Sequence, residues 1–211
     1  AESSVALAEP KPERQEAGFG GVNRFRGFIE EEYVADLRGT KAVEVFDKMS
    51  RSDPQVRATE LVVTLPILAG RWIVQPGDDS PAAKKAAEWV EASFFEGPPR
   101  GMTVVWEDFI REALTCWRYG YAVFEKVWEL VDRRWKYRKF ASRHPRPLQQ
   151  ALQGPWVFDE NDGLKAIRQL GYVDGKMRTS EVPIEKALVF TLDEEFGNPE
   201  GRSGFRPMYK P

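Results

Sequence analysis

The stretch Thr103–Val131, TVVWEDFIREALTCWRYGYAVFEKVWELV, changes its hydrophobic period halfway along, and that change decides the fold class. From Trp106 the apolar residues fall at Phe109, Ile110, Ala113, Leu114 and Trp117, the spacing of one buried helix stripe. Thr103 is placed to cap that helix, and Glu107 and Asp108 fall in its first turn, where the helix dipole favours negative charge. Tyr119-Gly120-Tyr121 interrupts the pattern. Val123–Val131 is then rich in β-branched and aromatic residues, with Glu125, Lys126 and Glu129 spaced through it as in a strand. A long helix over 104–119 is expected to feed directly into a strand, with Gly120 at the junction.

Upstream the chain reads as helical. Residues 1–22 are rich in Ala, Glu, Pro and Gly and are expected to be a disordered arm. Gly18-Phe-Gly20-Gly21 follows no strand, so it has no credible context as a phosphate loop. Arg24–Arg38 scatters Phe25, Phe28 and Tyr33 around the acidic run Glu30, Glu31, Glu32, with Asp36 beyond it. Thr40 caps a short helix through Met49. Asp53-Pro54 opens another, which Pro66 should kink or end. Arg71-Trp-Ile-Val-Gln75 reads as a short strand, and Ser80-Pro81 begins a third helix that ends before Gly97-Pro98-Pro99.

Downstream the chain reads as sheet. Asp132-Arg133-Arg134 is a turn, and Trp135–Phe140 alternates apolar and basic residues as the second arm of a hairpin. Residues 141–154 should be loop with at most one helical turn. Pro155–Phe158, Leu164–Tyr172 and Ile184–Leu192 follow as strands, punctuated by Asn161-Asp162-Gly163 and Asp174-Gly175. The expected class is α+β, helical over 40–120 and sheet-rich over 121–192.

Length and composition set limits on function. A chain of 211 residues with 42% apolar and 30% charged residues can bury a sizeable core as an ordinary globular protein. No run approaches the apolar length of a membrane span, so no membrane partner is expected. A single cysteine, Cys116, and a single histidine, His144, exclude an internal disulfide and a Cys/His metal cluster. Cys116 beside Leu114 and Trp117 reads as a small core residue, and His144 as a loop residue. Glu107, Asp108 and Glu112 are explained by dipole matching and by the spacing of Glu107 to Arg111, so no catalytic residue and no cofactor is expected.

The net charge of −2 conceals a split. Residues 1–132 hold 16 basic and 23 acidic residues, −7, and residues 133–211 hold 15 and 10, +5. Such halves suit head-to-tail self-association. The sharpest local feature is Arg133, Arg134, Lys136, Arg138, Lys139, Arg143 and Arg146, with no acid between Arg133 and Phe158 and with Trp135, Tyr137 and Phe140 interleaved. Three readings remain open: a solvated hairpin face with core aromatics, contact with an acidic front at Glu30, Glu31, Glu32 and Asp36 of a neighbouring copy, or contact with nucleic acid or an acidic partner.

Three motifs in order carry a resemblance. They are Asp53-Pro-Gln-Val-Arg57 through Arg71-Trp-Ile-Val-Gln-Pro76; Phe109-Ile-Arg-Glu-Ala113 through Tyr119-Gly-Tyr-Ala-Val-Phe-Glu-Lys-Val-Trp128; and Ala187-Leu-Val-Phe-Thr191 followed by Gly197-Asn-Pro-Glu-Gly201-Arg-Ser-Gly-Phe-Arg206. Together they resemble the N-terminal half of phage portal proteins of the Mu-like, prophage-borne family, over residues 40–207. The resemblance implies a non-enzymatic ring at a capsid vertex, usually of twelve subunits, through which double-stranded DNA is packaged and ejected without sequence reading. It implies as partners further copies of the chain, a terminase motor, a head-tail adaptor and the major capsid protein. Its place would be the virion, and the host cytoplasm during assembly. It assigns 23–102 to a wing-like helical domain, 103–121 to a first stem helix and 122–192 to a clip-like sheet domain. Residues 193–211 become a loop leading to a second stem helix, because members of the family are usually much longer than this chain. The rival readings are a stand-alone nucleic-acid-binding module using the basic hairpin 133–146, and a small-molecule enzyme.

Overall fold

The fold, a computed structural model, describes residues 21–131 and 133–210. The arm expected at 1–22 and its glycine cluster fall, but for their last residues, outside the described residues. The class is α+β. A two-residue hairpin, β1 (Arg24–Phe25) and β2 (Phe28–Ile29), precedes helices α1 (Gly39–Ser52), α2 (Pro54–Leu68), α3 (Pro81–Phe95), α4 (Trp106–Ala113) and α5 (Cys116–Tyr119). Strands β3 (Tyr121–Val131) and β4 (Arg134–Arg143) form the long hairpin. After α6 (Pro145–Gln149) come β5 (Trp156–Phe158), β6 (Leu164–Val173), β7 (Lys176–Pro183) and β8 (Ala187–Thr191). Two antiparallel three-stranded sheets result, in the orders β4-β3-β8 and β5-β6-β7.

Local chemistry explains most of these boundaries. The Asp53 carboxylate accepts from the backbone N–H groups of Gln55 and Val56 at 2.8 and 3.2 Å, and Pro54 occupies the first helical position of α2. Pro66 lies near the end of α2, which stops two residues later at Leu68. Ser80 caps α3 by accepting from the Ala83 N–H at 3.1 Å.

Three expectations are corrected. The single helix over 104–119 is two short pieces. The Thr115 hydroxyl donates back to the Glu112 carbonyl at 2.7 Å, and the N–H groups of Thr115, Trp117 and Arg118 bond three residues back instead of four, which tightens the chain there. Thr103 does not cap that helix, because both its N–H and its hydroxyl donate to the carbonyl of Arg138. Residues 71–75 form no strand: nothing lies alongside to pair with them, and Trp72 instead packs edge-on against Trp106 at 5.7 Å. Two elements were not anticipated. The β1–β2 turn uses positive φ at both Arg26 and Gly27, the hairpin geometry that matches strand twist, and β7 lacks any hydrophobic run.

The core is divided, and the segment 113–124 touches every part of it. Ala122 and Phe124 point from β3 into a cluster with Met102, Phe109, Ile110, Ala113 and Phe140. Tyr121 and Val123 point from the opposite face into a second cluster with Leu148, Trp156, Ile167, Val182 and Ala187. Trp117 and Tyr119 flank a third cluster, Leu37, Phe46, Val56 and Phe205. Gly120 joins α5 to β3 at φ +91°, and a Cβ there would run into the Glu200 carbonyl oxygen. Gly120→Ala should therefore cost more than about 2 kcal/mol, the left-handed backbone penalty plus a collision with backbone. Gly175→Ala, at φ +71° with nothing near its Cβ, should cost only the first of these, about 1–2 kcal/mol. Urea unfolding of the two variants measures the difference.

Candidate functional site

The basic hairpin is one β-ladder with a fault in it. Register between β3 and β4 shifts at Val127/Trp128, so that Val127 pairs with Lys139, Trp128 pairs with Tyr137, and Arg138 is the extra residue of a bulge. Its carbonyl is taken up by Thr103, and its side chain projects into solvent. The bulge sorts the seven cations into two groups. Lys136 is buried, pairs with Glu129 at 3.1 Å and donates to the Pro99 carbonyl. Arg143 pairs with Glu125 on the neighbouring strand, and Arg146 lies 3.8 Å from Glu44 of α1. Arg133, Arg134, Arg138 and Lys139 have no ion-pair partner among the described residues. The interleaved aromatics divide likewise: Tyr137 stacks on Trp128 and packs against Trp89 and Phe94, and Phe140 is core, but Trp135 stands in solvent across from Leu130.

The acidic front is largely occupied within the chain. Glu32 receives the Arg206 guanidinium through two hydrogen bonds, of 2.6 and 3.1 Å, and the Val34 N–H at 2.8 Å. Burial alone would raise its pKa, but these donors hold it below the ordinary carboxylate value. Asp36 accepts from Lys41 and from the Tyr209 hydroxyl, which lowers its pKa as well. Glu31 accepts from the Asn198 amide at 3.3 Å, and Glu30 is exposed. Glu31, Glu32 and Asp36 hold the segment 198–209 against the front of the chain.

Two further carboxylates are structural centres that no sequence pattern marks. Glu60, 5% exposed, accepts from Arg118 (2.9 and 3.1 Å), Arg57 (2.7 Å) and Ser50 (2.9 Å), and so ties α5, α2 and α1 together. Desolvation pushes its pKa up, but Arg57, Arg118 and Ser50 outweigh it and hold the group ionised. Glu200 is the opposite case. The residue as a whole is partly exposed, but its carboxyl is enclosed. One oxygen accepts from the Trp156 indole at 2.9 Å and the Gln149 amide at 2.7 Å, and no cation among the described residues pairs with it. Burial raises its pKa, and with it that of the Tyr121 phenol beside it. Glu200 and Tyr121 line a cleft of about 630 Å³ between 29–46 and 193–207.

Among the described residues, no nucleophile, base and orienting group gather into a catalytic arrangement. The Cys116 thiol is raised by burial and has no base beside it. His144 caps α6 through Nδ1, accepting from the Arg146 N–H at 3.2 Å, and its ring sits edge-on to Tyr119. Asp108 pairs with Arg111 in α4. Among the described residues no group of three His, Cys, Asp or Glu is placed to hold a metal ion, and no helix is long and apolar enough to cross a membrane.

Two outcomes follow from the carboxylates. Glu60→Ala leaves the half-buried Arg118 with only Asp47, at 3.6 Å, and should cost about 3 kcal/mol, the low end for a broken buried pair, whereas Glu60→Ala combined with Arg118→Met should cost clearly less. Glu200 has a raised pKa, so the folded state keeps its proton longer than the unfolded chain does. Its contribution is complete below the usual value of 4.5 and is lost as pH rises towards the raised value. Glu200→Gln keeps the acceptor and removes the ionisation. The gap in thermal midpoint between Glu200→Gln and wild type should therefore widen in favour of the variant as pH rises from about 4.5 to neutrality.

Comparison with curated proteins finds no match. Comparison with family models matches residues 43–211, from α1 through both sheets, to the portal protein of Mu bacteriophage. The match spans most of the chain and contains all three motifs quoted above. The chain belongs to the family of the portal protein of Mu bacteriophage.

Proposed function

We propose that this chain is a structural subunit of a ring at a phage capsid vertex, through which double-stranded DNA passes during packaging and ejection. Rings of this kind are usually built from twelve copies. The observation that carries the reading is the continuous family match over 43–211. The partner set that goes with it is further copies of the chain, the terminase motor, the head-tail adaptor and the major capsid protein. In this reading 23–102 is the wing-like part and 122–192 the clip-like part. Residues 103–121 are the passage between them, a broken helix in place of a continuous first stem helix.

The chemistry of the surface supports a partner that slides rather than one that is gripped. Each phosphate neutralised by Lys or Arg adds salt-dependent affinity, so a channel for moving DNA should offer few free cations. Of the seven cations in the hairpin, three are engaged by acids of the same chain. Of the four that remain, Arg133 and Arg134 sit at the hairpin's tip and Arg138 and Lys139 at the bulge opposite Val127 and Trp128, and they are placed for contact with a protein surface.

Purified protein should appear as closed multi-subunit rings in negative stain and as one discrete high mass by mass photometry. Duplex DNA should be retained weakly, with a shallow salt dependence. A monomer that binds DNA or RNA through Arg133, Arg134 and Arg138 would overturn the reading in favour of a nucleic-acid-binding module.

A further inference from the structure

The loop after β8 carries a feature that the isolated fold does not need. Asp193 and Phe196 both adopt left-handed backbone, at φ +48° and +53°, and Phe196 is 80% exposed. A bulky side chain in that region is strained, and an aromatic ring in water gains nothing from burial. The loop is nevertheless held in place. The Leu192 N–H donates to the Gly120 carbonyl, the Arg202 N–H to the Leu192 carbonyl, and the Asn198 N–H to the Glu195 carbonyl, at 2.8–2.9 Å. Glu195 is engaged by Arg202, while Asp193 and Glu194 are exposed and have no ion-pair partner among the described residues.

The hairpin tip has the complementary character. Arg133, Arg134 and Arg138 are exposed cations, and Leu130 and Trp135, cross-strand partners, are 58% and 62% exposed beside Trp128. Trp135, Leu130 and Trp128 share one face of the ribbon, with Arg133 in the turn and Arg134 on the other face at its end, and tryptophan rimmed by arginine is the composition of an interface centre. The two patches lie at opposite ends of β3. Tyr121 pairs with Thr191, just before the acidic loop, and Val131 pairs with Arg134 at the tip. Ten residues of strand hold them about 33 Å apart, so one chain cannot bring them together.

We propose that the loop Asp193–Phe196 of one copy docks on the β3–β4 tip of the next, Phe196 against Trp135 and Leu130, and Asp193 and Glu194 against Arg133, Arg134 and Arg138. Unlike patches joined in this way give a head-to-tail contact, which closes into a ring when the rotation between copies returns on itself. The contact rests on the ring reading above, and it moves the acidic side of the subunit boundary away from Glu30–Asp36, where the Glu31, Glu32 and Asp36 carboxylates are engaged within their own chain. A nucleic acid or acidic protein on the tip would leave the strained acidic loop without a role, and a basic protein on the loop would leave the tip without one.

The test is a charge swap in the full chain, read by mass photometry over a dilution series, with circular dichroism to verify folding. Asp193→Lys with Glu194→Lys, and separately Arg133→Glu with Arg134→Glu, should each raise the concentration at which assemblies dissociate by about tenfold or more. All four substitutions in one chain should restore most of the loss. Phe196→Gly should keep or raise the thermal midpoint, because it relieves the backbone, and should still weaken assembly. A purely local role for Phe196 would move both together. Wild-type assemblies that withstand both reversals, or a tip reversal that weakens assembly while the loop reversal is silent, overturn this contact and leave the ring standing. A wild type that never assembles overturns both.

Discussion

Four consecutive residues, Tyr121, Ala122, Val123 and Phe124, are buried on both faces of one strand, and the remaining architecture depends on that. Strands covered on one side alternate apolar and polar residues, whereas a strand covered on both sides must be apolar throughout. Here each face serves a different core, the α3–α4 side for Ala122 and Phe124 and the β5–β7 side for Tyr121 and Val123. Burial of side chains as large as Val123 and Phe124 stabilises by about 1.5–3 kcal/mol each, so this short segment fixes both sheets relative to the helices. From Glu125 onward the same strand leaves the core and becomes amphipathic. A projecting tip anchored by a strand buried on both sides is stiff at its base. That is the mechanical requirement for a surface that meets a partner at a fixed position.

Charge does different work in different places, and position rather than count decides which. Glu60 is buried with its hydrogen bonds filled, and through Arg118, Arg57 and Ser50 it joins the helices that also meet in the third core. Glu32 with Arg206 closes the chain's last segment onto its front. Lys136, Arg143 and Arg146 have acids within reach. The acidic and basic halves visible in the composition are therefore partly cancelled inside the fold. What remains for a partner is a smaller set, which includes the hairpin tip and the loop after β8.

The sequence made some of this legible, and the reasons are specific. Asp53-Pro54 and Ser80-Pro81 were readable as helix starts because capping is local chemistry. The β3–β4 hairpin was readable because its strands carry β-branched and aromatic residues on either side of a turn. The break at Thr115 was not, since the apolar stripe of α4 continues across it and the cause is a hydroxyl taking a backbone carbonyl. Residues 71–75 have strand composition but no neighbour, and pairing is a tertiary fact. The sorting of seven cations into engaged and free ones depends on a one-residue bulge, which no periodicity reports. Glu200 and Glu60 stand in unremarkable local sequence, and their partners Trp156, Gln149 and Arg118 lie 44 to 58 residues away.

The helical and sheet-rich parts are also less separable than composition implies. Phe205, wholly buried, comes from beyond the last strand yet packs edge-on against Phe46 of α1 at 6.2 Å. The Gly204 N–H donates to the Trp117 carbonyl at 2.8 Å, and the Ser203 hydroxyl to that of Arg118. A Cβ at position 204 would press on the Trp117 ring, so the close approach depends on glycine there. Segments 37–56, 117–119 and 203–209 thus make one cluster from three distant parts of the chain. Displacing 203–209 would uncover Phe46 and free Glu32 and Asp36 together. Glu32 and Asp36 are therefore open to a neighbour only when the third core is open, whereas Asp193 and Glu194 are exposed in the closed fold without an ion-pair partner among the described residues.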